Sequence, residues 1–130
     1  MRSWTLILCL VIGCSYPSPQ TTVPVRGTVV SPNGKPPTSG WVVFHPRDLP
    51  GNEAYGKINK DGSFRLGTFG AEDGAVVGRY IITVGPPPGI QGREKETIRA
   101  GIPKRYWKEE TSPLSHTVQV GSDSLILQLK

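Results

Sequence analysis

From residue 23 onward, apolar and polar positions alternate. Val23, Val25, Gly27 and Val29 fall on one side of a period of two, and Pro24, Arg26, Thr28 and Val30 on the other. That period describes a strand with one buried face. It returns in "GWVVFH" (40–45), where Val42 and Phe44 share the inner face and Trp41 and Val43 point the other way. The long loop that follows later in the chain covers these two outward residues, or they belong to a partner-binding face. Ala54, Gly56 and Ile58 form a further face, with Phe64 and Leu66 returning beside them. "NKDG" (59–62) is the expected hairpin turn. Tyr80, Ile82 and Val84 alternate in the same way. Val118 and Val120 pair with Leu125, Leu127 and Leu129 in a predicted final hairpin around the turn at 121–123. Roughly seven strands result, the number of an immunoglobulin-like sandwich. The expected core is Val25, Phe44, Phe64, Leu66, Tyr80, Ile82, Val118 and Leu127.

Turn chemistry separates these runs. Asn33-Gly34 within "SPNGKPP" is a tight-turn signal, because both residues tolerate positive φ. Pro46 to Asn52 reads as a loop. Pro86 to Pro113 has no clear period, and its "PPPG" and "GIP" interruptions oppose a long helix. The 16 glycines and 13 prolines lie between apolar runs rather than in one repeat, which fits short strands and turns. A chain of 130 residues suits one domain with a tail.

The first residues break the pattern. Arg2 precedes an almost uninterrupted apolar run, Thr5 to Ile12, followed by Gly13 and Cys14. A positive start, a short apolar stretch and a small residue at a boundary describe a secretory signal peptide. The run is shorter than the ~20 apolar residues of a membrane-spanning helix. Val11-Ile12-Gly13-Cys14 resembles a bacterial lipobox, with Val11 where leucine is usual. The resemblance implies removal of residues 1–13 and lipidation of Cys14. Cys9 follows bulky Leu8 and fits the motif poorly, and a disulfide to it would lie in the removed segment. A metal site at Cys14 would need further ligands nearby, and a buried cysteine in an ordinary N-terminal helix is the remaining alternative. Residues 14–22 then form a polar, proline-containing tether, or add to a sheet edge, and residues 23–130 form the domain. Cleavage removes Arg2 and no acid, so the formal side-chain charge falls from +5 to +4. That balance can favour anionic surfaces without identifying a ligand.

"VRGTVVSPNGKPPTSGWVVFHP", "GKINKDGSFRL", "GAVVGRYIITV" and "IPKRYWKEETSPLSHTVQV" occur in this order behind the lipobox. Together they resemble bacterial lipoproteins carrying a carboxypeptidase-regulatory-like, transthyretin-like domain. The resemblance spans most of residues 23–130 and implies an all-β, seven-stranded sandwich with Greek-key connections. It implies no reaction, since fold does not determine function. The regulatory domain of a carboxypeptidase accompanies a zinc-dependent catalytic domain, and no such domain is evident in the sequence. Transthyretin-like hydrolases end in Tyr-Arg-Gly-Ser, whereas this sequence ends "LILQLK".

The chemistry-bearing residues are few. His45 and His116 are the only histidines, and either can act as a base if partners converge on it. The sequence has no HExxH, GxSxG or P-loop pattern. Asn59, Asp61 and Gly62 have calcium-loop spacing, but Lys57 and Thr68 occupy the outer ligand positions, so a hairpin is expected there. "RAGIPKRYWK" sets Arg99, Lys104, Arg105 and Lys108 beside Tyr106 and Trp107. This stretch is either a surface for an anionic partner, or a loop that tucks Ile102, Tyr106 and Trp107 against the sandwich, with Glu109 and Glu110 diluting its charge. The expectation is a lipid-anchored binding or structural module of the cell envelope, without cofactor or metal. Its partners are the membrane, through the lipid, and an envelope polysaccharide or protein. Export disfavours nucleic acid. Two alternatives remain: a small envelope hydrolase using His45 or His116, and a carbohydrate-binding accessory domain with an exposed aromatic platform. Polar residues gathered in a pocket would favour the hydrolase.

Overall fold

Each alternating segment becomes a strand. The computed structural model describes residues 21–48, 51–87, 89–121 and 123–130. Cys14, the segment 1–13 and the tether through residue 20 lie outside the described residues. Among the described residues there are nine strands: β1 (Thr22–Val23), β2 (Val25–Val30), β3 (Trp41–Pro46), β4 (Ala54–Lys57), β5 (Ser63–Arg65), β6 (Ala75–Val76), β7 (Gly78–Gly85), β8 (Leu114–Val118) and β9 (Asp123–Gln128). The count exceeds the expected seven because two-residue strands, β1 and β6, pair as a separate ribbon. Thr22, assigned to the tether by composition, already belongs to it.

The other seven strands form a four-stranded sheet, β4-β3-β7-β8, and a three-stranded sheet, β5-β2-β9. β7 is the longest strand, pairing antiparallel with β3 from Trp41↔Gly85 to Pro46↔Tyr80 and with β8 from Gly78↔Val118 to Ile82↔Leu114. In the other sheet β2 pairs antiparallel with β5 and parallel with β9, from Val25↔Asp123 to Val30↔Gln128.

Both predicted hairpins are absent. β4 pairs with β3 and β5 with β2, leaving a Tyr55↔Gly67 bridge and a bond from the Asn59 N–H to the Ser63 carbonyl between the neighbouring segments. β8 likewise pairs with β7, while β9 crosses to β2. Alternation identifies a strand's buried face, not the neighbour it bonds. Two consecutive strands on opposite sides of one core carry the same alternation as a hairpin. At the "NKDG" turn, the Gly62 N–H donates to the Asn59 carbonyl, and the Asp61 carboxylate accepts the N–H and hydroxyl of Ser63. Those bonds hold the Asp61 carboxyl below its usual range.

The inner faces of the two larger sheets contribute to one core. All eight expected core residues are buried, joined among others by Val29, Val42, Val84 and Leu129. Phe64 pairs with Gly27 across β5 and β2. A Cβ at Gly27 would come within 2.7 Å of the Phe64 ring, so the missing side chain is the space the ring fills. In the aperiodic stretch, glycine and proline confine helix to α1 (Arg93–Ala100), which buries Ile98, and a 3-10 turn at Lys104–Tyr106.

Candidate functional site

On its outer face the four-stranded sheet presents residues of the opposite parity. Tyr55, Val43 and Thr83 form one file across β4, β3 and β7, because Val43 pairs with both others. His45 lies two residues along β3. This file is the floor of a groove of about 790 Å³, walled by Pro86 and by Trp107 through Thr111.

The wall is fixed by the connection between β7 and β8. Trp107 donates its indole N–H to the Ile102 carbonyl at 3.0 Å and packs against the core. Its ring lies against Gly85, where a Cβ would stand 3.3 Å from Cδ1. A larger residue at the end of β7 would require the indole to shift by a few tenths of an ångström. The Thr111 hydroxyl donates to the Arg105 carbonyl at 2.8 Å, and the Ser112 hydroxyl donates to the Ile82 carbonyl. The outward pair of the sequence reading is thus resolved in part: Val43 lines the groove and Trp41 is half-buried.

His45 carries the most organised chemistry here. Its Nε2 hydrogen-bonds with Thr83 Oγ1 at 2.8 Å, and its Nδ1 is 3.6 Å from Glu109 Oε1. The second distance is beyond hydrogen-bond range. A carboxylate on the Nδ1 side favours the tautomer with its proton there, leaving Nε2 to accept from the threonine hydroxyl. The His45 side chain is 23% exposed and Glu109 52%, whereas Thr83 is 6% exposed. Hydroxyl, imidazole and carboxylate therefore run from the sheet to the groove wall.

His116 is not part of this arrangement. It pairs with Tyr80 and faces the inner side, its ring 6.3 Å from that of Phe44. The two histidines stand on opposite faces of one sheet, so they cannot share a substrate.

The basic and aromatic residues of 99–108 are separated as well. Tyr106 is 1% exposed, in the core, and its hydroxyl accepts the Lys130 N–H at 2.7 Å and an Arg105 N–H at 3.1 Å. Arg105 also donates to the Lys130 carbonyl and lies 5.0 Å over the Tyr106 ring. Arg99 lies 4.7 Å over Trp107. Lys104 is exposed. Contrary to the surface reading, the Tyr106 ring is closed to a ligand. Burying it with Ile102 removes more apolar area from water than exposing it to a partner would. Of Arg99, Lys104, Arg105, Tyr106 and Trp107, only Trp107 reaches the groove, joined there by Lys108. Tyr55, Thr83, Glu109 and Glu110 were not legible as site residues. Their signal is outward parity opposite a loop, which needs the loop's path.

No protein-family model, curated protein or solved structure matches this chain.

Proposed function

We propose that this chain is an exported, lipid-anchored β-sandwich module that binds an envelope component in the groove over its four-stranded sheet. The observation carrying this reading is the groove's mixed lining. Val43, Pro86, Trp107 and the 41%-exposed Tyr55 offer apolar and aromatic surface, while His45, Lys108, Glu109 and Glu110 offer directed polar groups. Such concave, mainly apolar sites with a few oriented polar groups suit small ligands and chain segments. Aromatic faces beside hydrogen-bonding side chains suit a polysaccharide, and a protein partner is the other candidate. The seven strands of the two larger sheets support the immunoglobulin-like, Greek-key reading, and the likeness to transthyretin-like lipoproteins rests on the sequence motifs alone. Anchoring rests on the lipobox at Cys14. Mass spectrometry of the native N-terminus is expected to show a chain beginning at Cys14 with two or more acyl chains, the number needed for stable attachment. An intact, unmodified segment 1–14 would reject it.

A second reading is favoured by the Thr83–His45–Glu109 run. In a hydrolase, Thr83 Oγ1 would attack an ester's acyl carbon while His45 Nε2 takes its proton and Glu109 steadies the imidazolium; the ester C–O bond would break as His45 returns the proton to the departing alkoxide, leaving an acyl-threonine for water to hydrolyse. Against it, Thr83 is buried and β-branched, and Glu109 lies beyond hydrogen-bond reach of the ring. We therefore favour binding without turnover.

One set of variants separates the readings. Titration with solubilised envelope polysaccharides, followed by tryptophan fluorescence, is expected to show saturable binding that Tyr55→Ala weakens at least about tenfold. No ester turnover accompanies it. Binding indifferent to Tyr55→Ala and His45→Ala removes the groove from the proposal. Ester turnover lost in both His45→Ala and Thr83→Val replaces the module with the hydrolase.

A further inference from the structure

The three-stranded sheet presents a different chemistry on its outer face. Arg26 in β2 is the direct cross-strand partner of Arg65 in β5, and on its other side Arg26 pairs with Ser124 in β9. Both arginines are exposed. Like charges directly opposite one another in a sheet are destabilising. Three other guanidinium groups are engaged: Arg79 pairs with Asp48 at 2.6 Å, Arg99 stacks on Trp107, and Arg105 donates to Tyr106 and Lys130. The guanidinium groups of Arg26 and Arg65 have neither hydrogen bond nor ion pair among the described residues.

The two lie in a depression of about 380 Å³ that is also lined by Gly27, Thr28, Asn59, Ser63, Phe64 and Ser124. Among the described residues, no carboxylate is in that lining. The nearest acid in the adjoining turn, Asp61, faces the N–H and hydroxyl of Ser63. Thr28 and Ser124 keep hydroxyls available to donate. The lining is thus two planar donor forks with hydroxyl donors on one rigid sheet. A guanidinium fork binds phosphate oxygens in pairs, and two forks on one anion convert their mutual repulsion into shared attraction.

We infer that Arg26 and Arg65, with Thr28 and Ser124, form a binding site for one phosphoryl group on the outer face of the three-stranded sheet. The site is independent of the groove, which lies on the other sheet. A phosphoryl group reaches it either as free phosphate or as the phosphodiester of a lipid headgroup.

The test uses the full chain in a neutral detergent, titrated at constant ionic strength with inorganic phosphate and, separately, with glycerophosphoglycerol, the deacylated headgroup. Backbone amide resonances are followed. Saturable, one-to-one shifts are expected at residues 26, 28, 65 and 124, with chloride producing none. Arg26→Gln and Arg65→Gln each weaken binding at least about tenfold, the scale of one charge-assisted bidentate contact. Lys35→Gln combined with Lys57→Gln removes twice the charge of either arginine variant, elsewhere on the surface, and is expected to change affinity less than about twofold. Tighter binding of inorganic phosphate assigns the free anion, and tighter binding of glycerophosphoglycerol assigns the headgroup. Shifts absent for both probes, or equally weakened by the lysine pair, overturn the site.

Discussion

Phe64→Ala is expected to lower the free energy of unfolding by about 3–5 kcal/mol, the range for truncating a buried aromatic ring. The ring is 1% exposed and fills the space left by Gly27 on the adjoining strand. Removing it opens a cavity between the two sheets that the backbone cannot close. The neighbouring glycine offers no repair, because a Cβ there would also stand 2.4 Å from the Leu125 carbonyl oxygen. Gly27→Ala in the Phe64→Ala background should therefore destabilise further. Phe64→Leu keeps most of the volume and should cost less than about 1.5 kcal/mol. Urea unfolding followed by far-ultraviolet circular dichroism measures each difference. A Phe64→Ala loss below about 1 kcal/mol would mean that the ring does not occupy this position.

Tyr106→Ala should cost a similar amount, about 3–5 kcal/mol, whereas Tyr106→Phe should cost about 1–2 kcal/mol. The alanine removes a core ring from the 3-10 turn. The phenylalanine keeps the ring but deprives the Lys130 N–H and one Arg105 N–H of their shared acceptor. Those two bonds tie the β7–β8 connection to the segment after β9, so thermal unfolding of both variants should show the loss. This outcome also distinguishes the two sequence readings of Tyr106. A ligand-stacking tyrosine would lose affinity on substitution and leave stability almost untouched.

How far the chain was legible depends on how local the signal is. The inner faces of β2, β3 and β7 are written in alternation, since a residue's parity along a strand fixes its side. The Asn33-Gly34 turn was legible because backbone sterics act within a few residues, and Gly34 has a φ of 81°. The two hairpins were misread where that locality ends. Ala54, Gly56 and Ile58 face the same core as Phe64 and Leu66, but from the opposite sheet, and alternation does not record the difference.

The candidate sites show the same division. His45 was visible as a base, and Trp41 and Val43 as outward apolar residues beside it. Thr83 and Glu109 were invisible as its partners, because they come 38 and 64 positions later and meet it only across a strand ladder and a returning loop. Arg26 and Arg65 become neighbours only through the β2–β5 register, which sets them opposite one another.

The sequence by itself determined the all-β character, the eight core positions, the main turns and the lipobox-like start. Each rests on side-chain size, backbone freedom or spacing within a short window. Tertiary structure alone decided which strands bond, that β9 runs parallel to β2, that Tyr106 is buried rather than displayed, and which polar groups converge. Those outcomes depend on contacts between distant segments, where burial of shared apolar surface outweighs local preference and no nearby residue encodes the partner.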